Sequence, residues 1–274
     1  MTEFFTTLFN YGFMQNALMG CLLASIGCGI IGTYVVVKKV GFLAGGIAHS
    51  VLAGMGMAYF FGGSPLTGAL IAALVAAVLI GLINLRWRQN EDILIAAFWS
   101  VGMAIGIVFI SRTPGYSVDL MSYLFGNILL VSTSDLYLMV ILDLLVIFLI
   151  TLFYKQFLAG AFDEEFARLR GVNVEFFYIL MLCMVAVTVV LLIQIVGLIL
   201  VLALLILPAA TAGLFVTSFN RMMLLSVLIC MVVTTSGLII SYQPDLPSGS
   251  TIIILAGIVY MLSIIASNLL RKYK

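Results

Sequence analysis

Between Gly12 and Leu270 the chain is a succession of apolar runs, each about 20 residues long and each cut short by a few charged or turn-forming residues. At 1.5 Å of rise per residue, a helix of that length matches the hydrocarbon thickness of a bilayer. In hydrocarbon the backbone must satisfy its own hydrogen bonds, so these runs read as transmembrane helices. The 274 residues are 64% hydrophobic and only 8% charged, whereas a soluble domain averages about 25% charged. A water-soluble fold is therefore excluded. The length allows roughly eight to ten spans and no further soluble domain, so residues 1–274 read as one transmembrane domain.

Nine spans follow from the breaks. They are Gly12 to Val37, Phe42 to Phe61, Leu66 to Leu85, Ile93 to Ser111, Leu136 to Tyr154, two within Phe176 to Phe219 divided by a tight turn near Gln194 to Gly197, Met222 to Tyr242, and Ser250 to Leu270. Pro208 falls inside the seventh and predicts a kink. With the Lys38-Lys39 loop in the cytoplasm, eleven of the twelve Lys and Arg residues lie on that side and only Arg112 faces out. This agrees with the positive-inside rule and places the N-terminus outside and the C-terminus inside. The start, Met1-Thr2-Glu3, lacks a basic leader, so the first apolar run is expected to stay as a membrane helix.

His49 is the only histidine, and it lies inside the second span. An imidazole at membrane depth is costly without a partner and is the commonest metal ligand. Gly45, His49 and Ala53 form one ridge of that helix, and Gly46, Ser50, Gly54 and Ala58 the next. Two readings stand: a packing face whose histidine donates to a neighbouring carbonyl, or the wall of a pathway for a proton or divalent cation, with Gly45, Gly46 and Ser50 lining it. Asp143 is the other ionisable group deep in a span; it is open to pairing with His49, to cation ligation, or to remaining protonated. Cys21, Cys28, Cys183 and Cys230 have no metal-binding spacing and read as small core residues.

Two short segments break the pattern. Ser117 to Asn127, on the outer side, is capped like a helix but too short to span; it reads either as an interfacial helix lying flat or as a half-helix that suits a gate, with Asp119 and Tyr123 as its pathway residues and Pro208 as a second flexible point. Within the polar stretch 156–175, Asp163 can cap a helix whose first turn carries Glu164 and Glu165 and whose last carries Arg168 and Arg170, with Gly171 closing it. So short a helix must dock on something, and Phe162, Phe166 and Leu169 form its apolar side. The chain has no phosphate-binding loop, no zinc-protease motif and no serine-nucleophile motif. It is not an enzyme by this reading, and any ATPase driving transport is a separate chain. Apart from the short Arg271-Lys272-Tyr273-Lys274 tail, no basic run could track nucleic acid.

Four stretches carry a resemblance: Gly45-Gly46-Ile47-Ala48-His49-Ser50, Ser117-Val118-Asp119-Leu120-Met121-Ser122-Tyr123-Leu124-Phe125-Gly126, Leu207-Pro208-Ala209-Ala210-Thr211-Ala212 and Pro247-Ser248-Gly249-Ser250. In these the chain resembles the permease subunits of zinc- and manganese-type ABC importers. The resemblance implies a type II importer fold in a prokaryotic plasma membrane, a permease homodimer, two cytosolic ATP-binding subunits and an extracytoplasmic metal-binding protein. It also implies that Asp163, Glu164, Glu165, Phe166, Arg168 and Gly171 belong to a coupling helix that sits on the ATPase. The ion is then substrate, with no tightly bound cofactor. Family members commonly carry an aspartate four residues before the histidine; here Gly45 stands in that place, so His49 alone cannot be the whole ligand set. The rival expectation is a secondary transporter or channel using His49 and Asp143 as a proton or cation relay.

Overall fold

The computed structural model describes residues 8–86, 91–113, 126, 128–198, 201–242, 244 and 246–272. Among these there are helices and turns and no strand. The helices are α1 Gly12–Val37, α2 Gly41–Phe60, α3 Pro65–Arg86, α4 Glu91–Arg112, α5 Thr133–Leu152, α6 Tyr154–Phe162, α7 Glu164–Leu169, α8 Val174–Val196, α9 Val201–Phe215, α10 Phe219–Tyr242 and α11 Ser248–Lys272.

Eight of them are long and apolar enough to cross a membrane. In the region of the expected seventh span, α9 is described from Val201 to Phe215, 15 residues, with residues 199 and 200 before it outside the described residues. The turn before it falls at Gly197, in the left-handed region at φ 78°. Pro208 lies buried within α9, and the helix runs through it; its missing N–H leaves the Leu204 carbonyl without its helical donor.

The chain divides into two compact units. One comprises Met1–Val36, Leu120–Leu144 and Leu191–Lys274, and the other Val37–Asp119 and Leu145–Val190. In the first, α1 packs through small residues, the device that replaces the hydrophobic effect between helices in lipid. Gly32 lies against the Leu205 carbonyl of α9, and Gly29 against Val227 of α10. Ser25 Oγ stands 3.1 Å from Thr234 Oγ1 and donates to the Cys21 carbonyl at 2.6 Å. Tyr34 meets Phe219 edge-on at 4.7 Å. Cys21, Cys28 and Cys230 are buried and unbridged, and Cys183 in α8 is half-buried.

In the second unit α2 runs against both α3 and α4 at backbone contact. Gly54 of α2 meets the Gly68 carbonyl of α3. A Cβ on Gly106 of α4 would stand 2.5 Å from the Leu52 carbonyl oxygen, and one on Gly102 would stand 2.8 Å from Ser50 Cα. Further along α3, Asn84 Nδ2 donates to the Tyr178 hydroxyl of α8 at 2.8 Å. Phe153 and Phe157 both set their rings edge-on to Phe177 at 5.4 Å.

Candidate functional site

α2 is buried from Leu43 to Gly56, which fixes the surroundings of His49. The imidazole is 5% exposed and stacks on the indole of Trp99 from α4, with ring centroids 3.8 Å apart and planes 15° from parallel. Its Nδ1 is buried and has no hydrogen-bond partner. The carbonyl expected by the packing-face reading is therefore not supplied to this atom. Ser50, one residue on, donates to the Gly46 carbonyl at 2.7 Å, a bond within its own helix. Trp99 gave no signal in the sequence, because nothing in the local pattern of α4 points at α2.

The ridge of small residues has two jobs. Gly54 brings α3 to backbone contact, while Ser50, Ala53, Gly54, Met57 and Ala58 floor an apolar groove of about 730 Å³ between α3 and α4. Its rims include Ile71, Val75 and Val101, each more than half exposed. An ion entering this groove would lose its hydration and find one hydroxyl in exchange, so the groove suits hydrocarbon and not a cation.

Asp143 lies in the other unit, 3% exposed, and neither carboxylate oxygen has a hydrogen-bond partner. Among the described residues no three His, Cys, Asp or Glu side chains stand close enough together to hold a metal ion. Asp119 and Tyr123, and with them the expected outer half-helix, lie outside the described residues; Gly126, at the expected end of that segment, adopts φ 74°.

The polar stretch 156–175 folds as α6 and α7, joined at Asp163. Asp163 is extended and its Oδ1 accepts from the Phe166 N–H at 2.9 Å, the N-cap bond that the sequence implies. Glu164 and Glu165 lie in the first turn and Arg168 in the last. Gly171 closes the helix at φ 79°, a conformation that side chains with a Cβ resist, and the Val172 N–H returns to the Ala167 carbonyl at 3.0 Å. Arg168 reaches Glu175 at 3.4 Å, and the Arg170 guanidinium lies 5.2 Å from the Phe166 ring centre. Only Ala167 of α7 is buried, while Phe162, Phe166 and Leu169 are 65%, 49% and 87% exposed. Phe162 at the end of α6 and Phe166 and Leu169 of α7 thus leave three apolar side chains exposed around the capped turn, a surface suited to contact.

Fold and site together define a multi-pass, all-helical membrane protein with a short capped helix, α7, beside its long apolar helices. The chain belongs to the ABC 3 transport family, which it matches over residues 10–267. It is 42% identical to a probable metal transport system membrane protein of Chlamydia pneumoniae, over 90% of this chain and 86% of that one. Against the manganese transport system membrane protein MntC of Listeria innocua it is 38% identical, over 95% and 92%. It is also similar to the solved structure of PsaBC from Streptococcus pneumoniae in complex with Fab, with a TM-score of 0.87 and 32% identity, over 96% of this chain and 94% of that one.

Proposed function

We propose that this chain is the membrane-spanning subunit of an ABC importer that brings a divalent metal ion, manganese or zinc, into the cytoplasm. The observation that carries the reading is the likeness to a manganese transport membrane protein over nearly the whole length of both chains. ATP hydrolysis belongs to two cytosolic partner subunits. An extracytoplasmic metal-binding protein delivers the ion, and a second copy of the permease completes the pathway. α7, with Asp163, Glu164, Glu165, Phe166, Arg168 and Gly171, is the helix that docks on the ATPase, a role that fits its capping and its exposed aromatic face. His49 is the first candidate to touch the ion, through an imidazole whose plane Trp99 holds. Gly45 adds no ligand, so the remaining contacts come from elsewhere in the assembly.

The test is reconstitution with the partner ATPase in liposomes. Manganese-stimulated ATP hydrolysis and uptake are expected, and competition among manganese, zinc and iron ranks the ions. His49→Ala should cut uptake, and Glu165→Ala or Arg168→Ala should break the link between hydrolysis and uptake while the fold stays intact. Uptake by the isolated chain under a pH gradient, abolished by Asp143→Asn, would instead establish the proton relay and overturn this reading.

A further inference from the structure

Lys38 follows the last residue of α1 and precedes the first turn of α2. Its Nζ lies 2.6 Å from Glu164 Oε1, the first residue of α7, and donates at 2.7 Å to the carbonyl of Gly160 in the last turn of α6. One ammonium thus spans the junction of both short helices and ties it to the entry of α2. The side chain is only 14% exposed. Lys38 lines one small cavity together with Phe157, Ala161, Phe177 and Tyr178. The backbone is set for this contact: Lys39 holds the left-handed conformation at φ 58°, unusual for a residue with a side chain, and the chain turns there into α2. In α7 only Ala167 is buried, and the Lys38 bonds are one attachment of its N-terminal end.

We propose that Lys38 is a positioning residue that links the α6–α7 segment mechanically to α2, the helix that carries His49. Displacement of α7 pulls on Glu164 and Gly160, and through the ammonium on the start of α2. The backbone contacts of α2 with α3 and α4 then carry the movement along the unit. The proposal rests on the reading of α7 as the segment that docks on the ATPase.

The experiment compares wild type, Lys38→Met and Lys38→Arg as full-length chains. Met keeps the stem and removes the charge and every donor, while Arg keeps both charge and donors. In liposomes with the partner ATPase, the number of manganese ions imported per ATP hydrolysed is expected to fall about fivefold in Lys38→Met and to return in Lys38→Arg. In the detergent-solubilised chain, amide hydrogen exchange over residues 160–171 should quicken in Lys38→Met and not in Lys38→Arg. A ratio in Lys38→Met equal to wild type overturns the proposal, as does equal loss in both variants. If wild type shows no manganese-dependent hydrolysis, the importer reading fails by itself. The exchange comparison then decides the link alone: equal rates in wild type and Lys38→Met refute it, and a faster Lys38→Met sustains it.

Discussion

At the scale of single residues, the second unit depends on positions where a side chain is absent and on one where a large one is present. Gly68 lies against the backbone of Gly54, so Gly68→Val inserts atoms where a neighbouring helix already stands. It is expected to cost about 2 kcal/mol or more, read as a lower thermal unfolding midpoint in detergent. A midpoint equal to wild type would show that the two helices part freely. Trp99→Ala removes the ring stacked on His49, and a loss of about 1 kcal/mol is expected from the aromatic pair alone. In the same variant uptake should decline further than stability does, because the imidazole plane is no longer held; uptake equal to wild type would dismiss that role. His49 was legible in the sequence because a single imidazole in an apolar run stands out by cost. Trp99 was not, since its partner is far away in the chain and half-buried indoles are ordinary in membrane helices.

At the scale of elements, α7 was the most readable part of the chain. Its cap, its charge distribution along the helix dipole and its closing glycine are all local chemistry, and each falls where the spacing implied. Asp163→Ala should cost the short helix about 1 kcal/mol, and Gly171→Val at least about 1 kcal/mol because its φ is left-handed. Both are measured as faster amide exchange across 164–170, and unchanged exchange in both would mean that the helix is held by its surroundings and not by its ends. The attachment of the helix was illegible, since Lys38 and Glu164 are distant in sequence and a lysine pair at the end of a span already has an explanation in membrane orientation. The turn before α9 was legible from local chemistry as well: Gly197, in the left-handed region, falls at the end of the stretch where a tight turn is expected.

For the whole molecule, eight membrane-length helices and the shorter α9 bear on the number of crossings. If α9 crosses, Arg112 and Arg221 lie on opposite faces. Cysteines placed at these positions should therefore label differently with an impermeant reagent: Arg112→Cys in intact cells, and Arg221→Cys only after permeabilisation. Labelling of both from outside would make α9 a helix that enters and leaves by one face. Hydrophobic runs and basic residues sufficed for the membrane class and the helical architecture, because both follow from the solvent. The environment of His49 depended instead on which helices meet, and that is decided by pairs of glycines on different runs. Those contacts also carry a genetic consequence. Every codon change that alters Gly54, Gly68, Gly102 or Gly106 adds atoms where backbone already stands, so no conservative alternative exists at these four sites. In a randomly mutagenised population selected for growth on scarce metal, they should be nearly invariant, while the exposed Ile71, Val75 and Val101 drift among apolar residues.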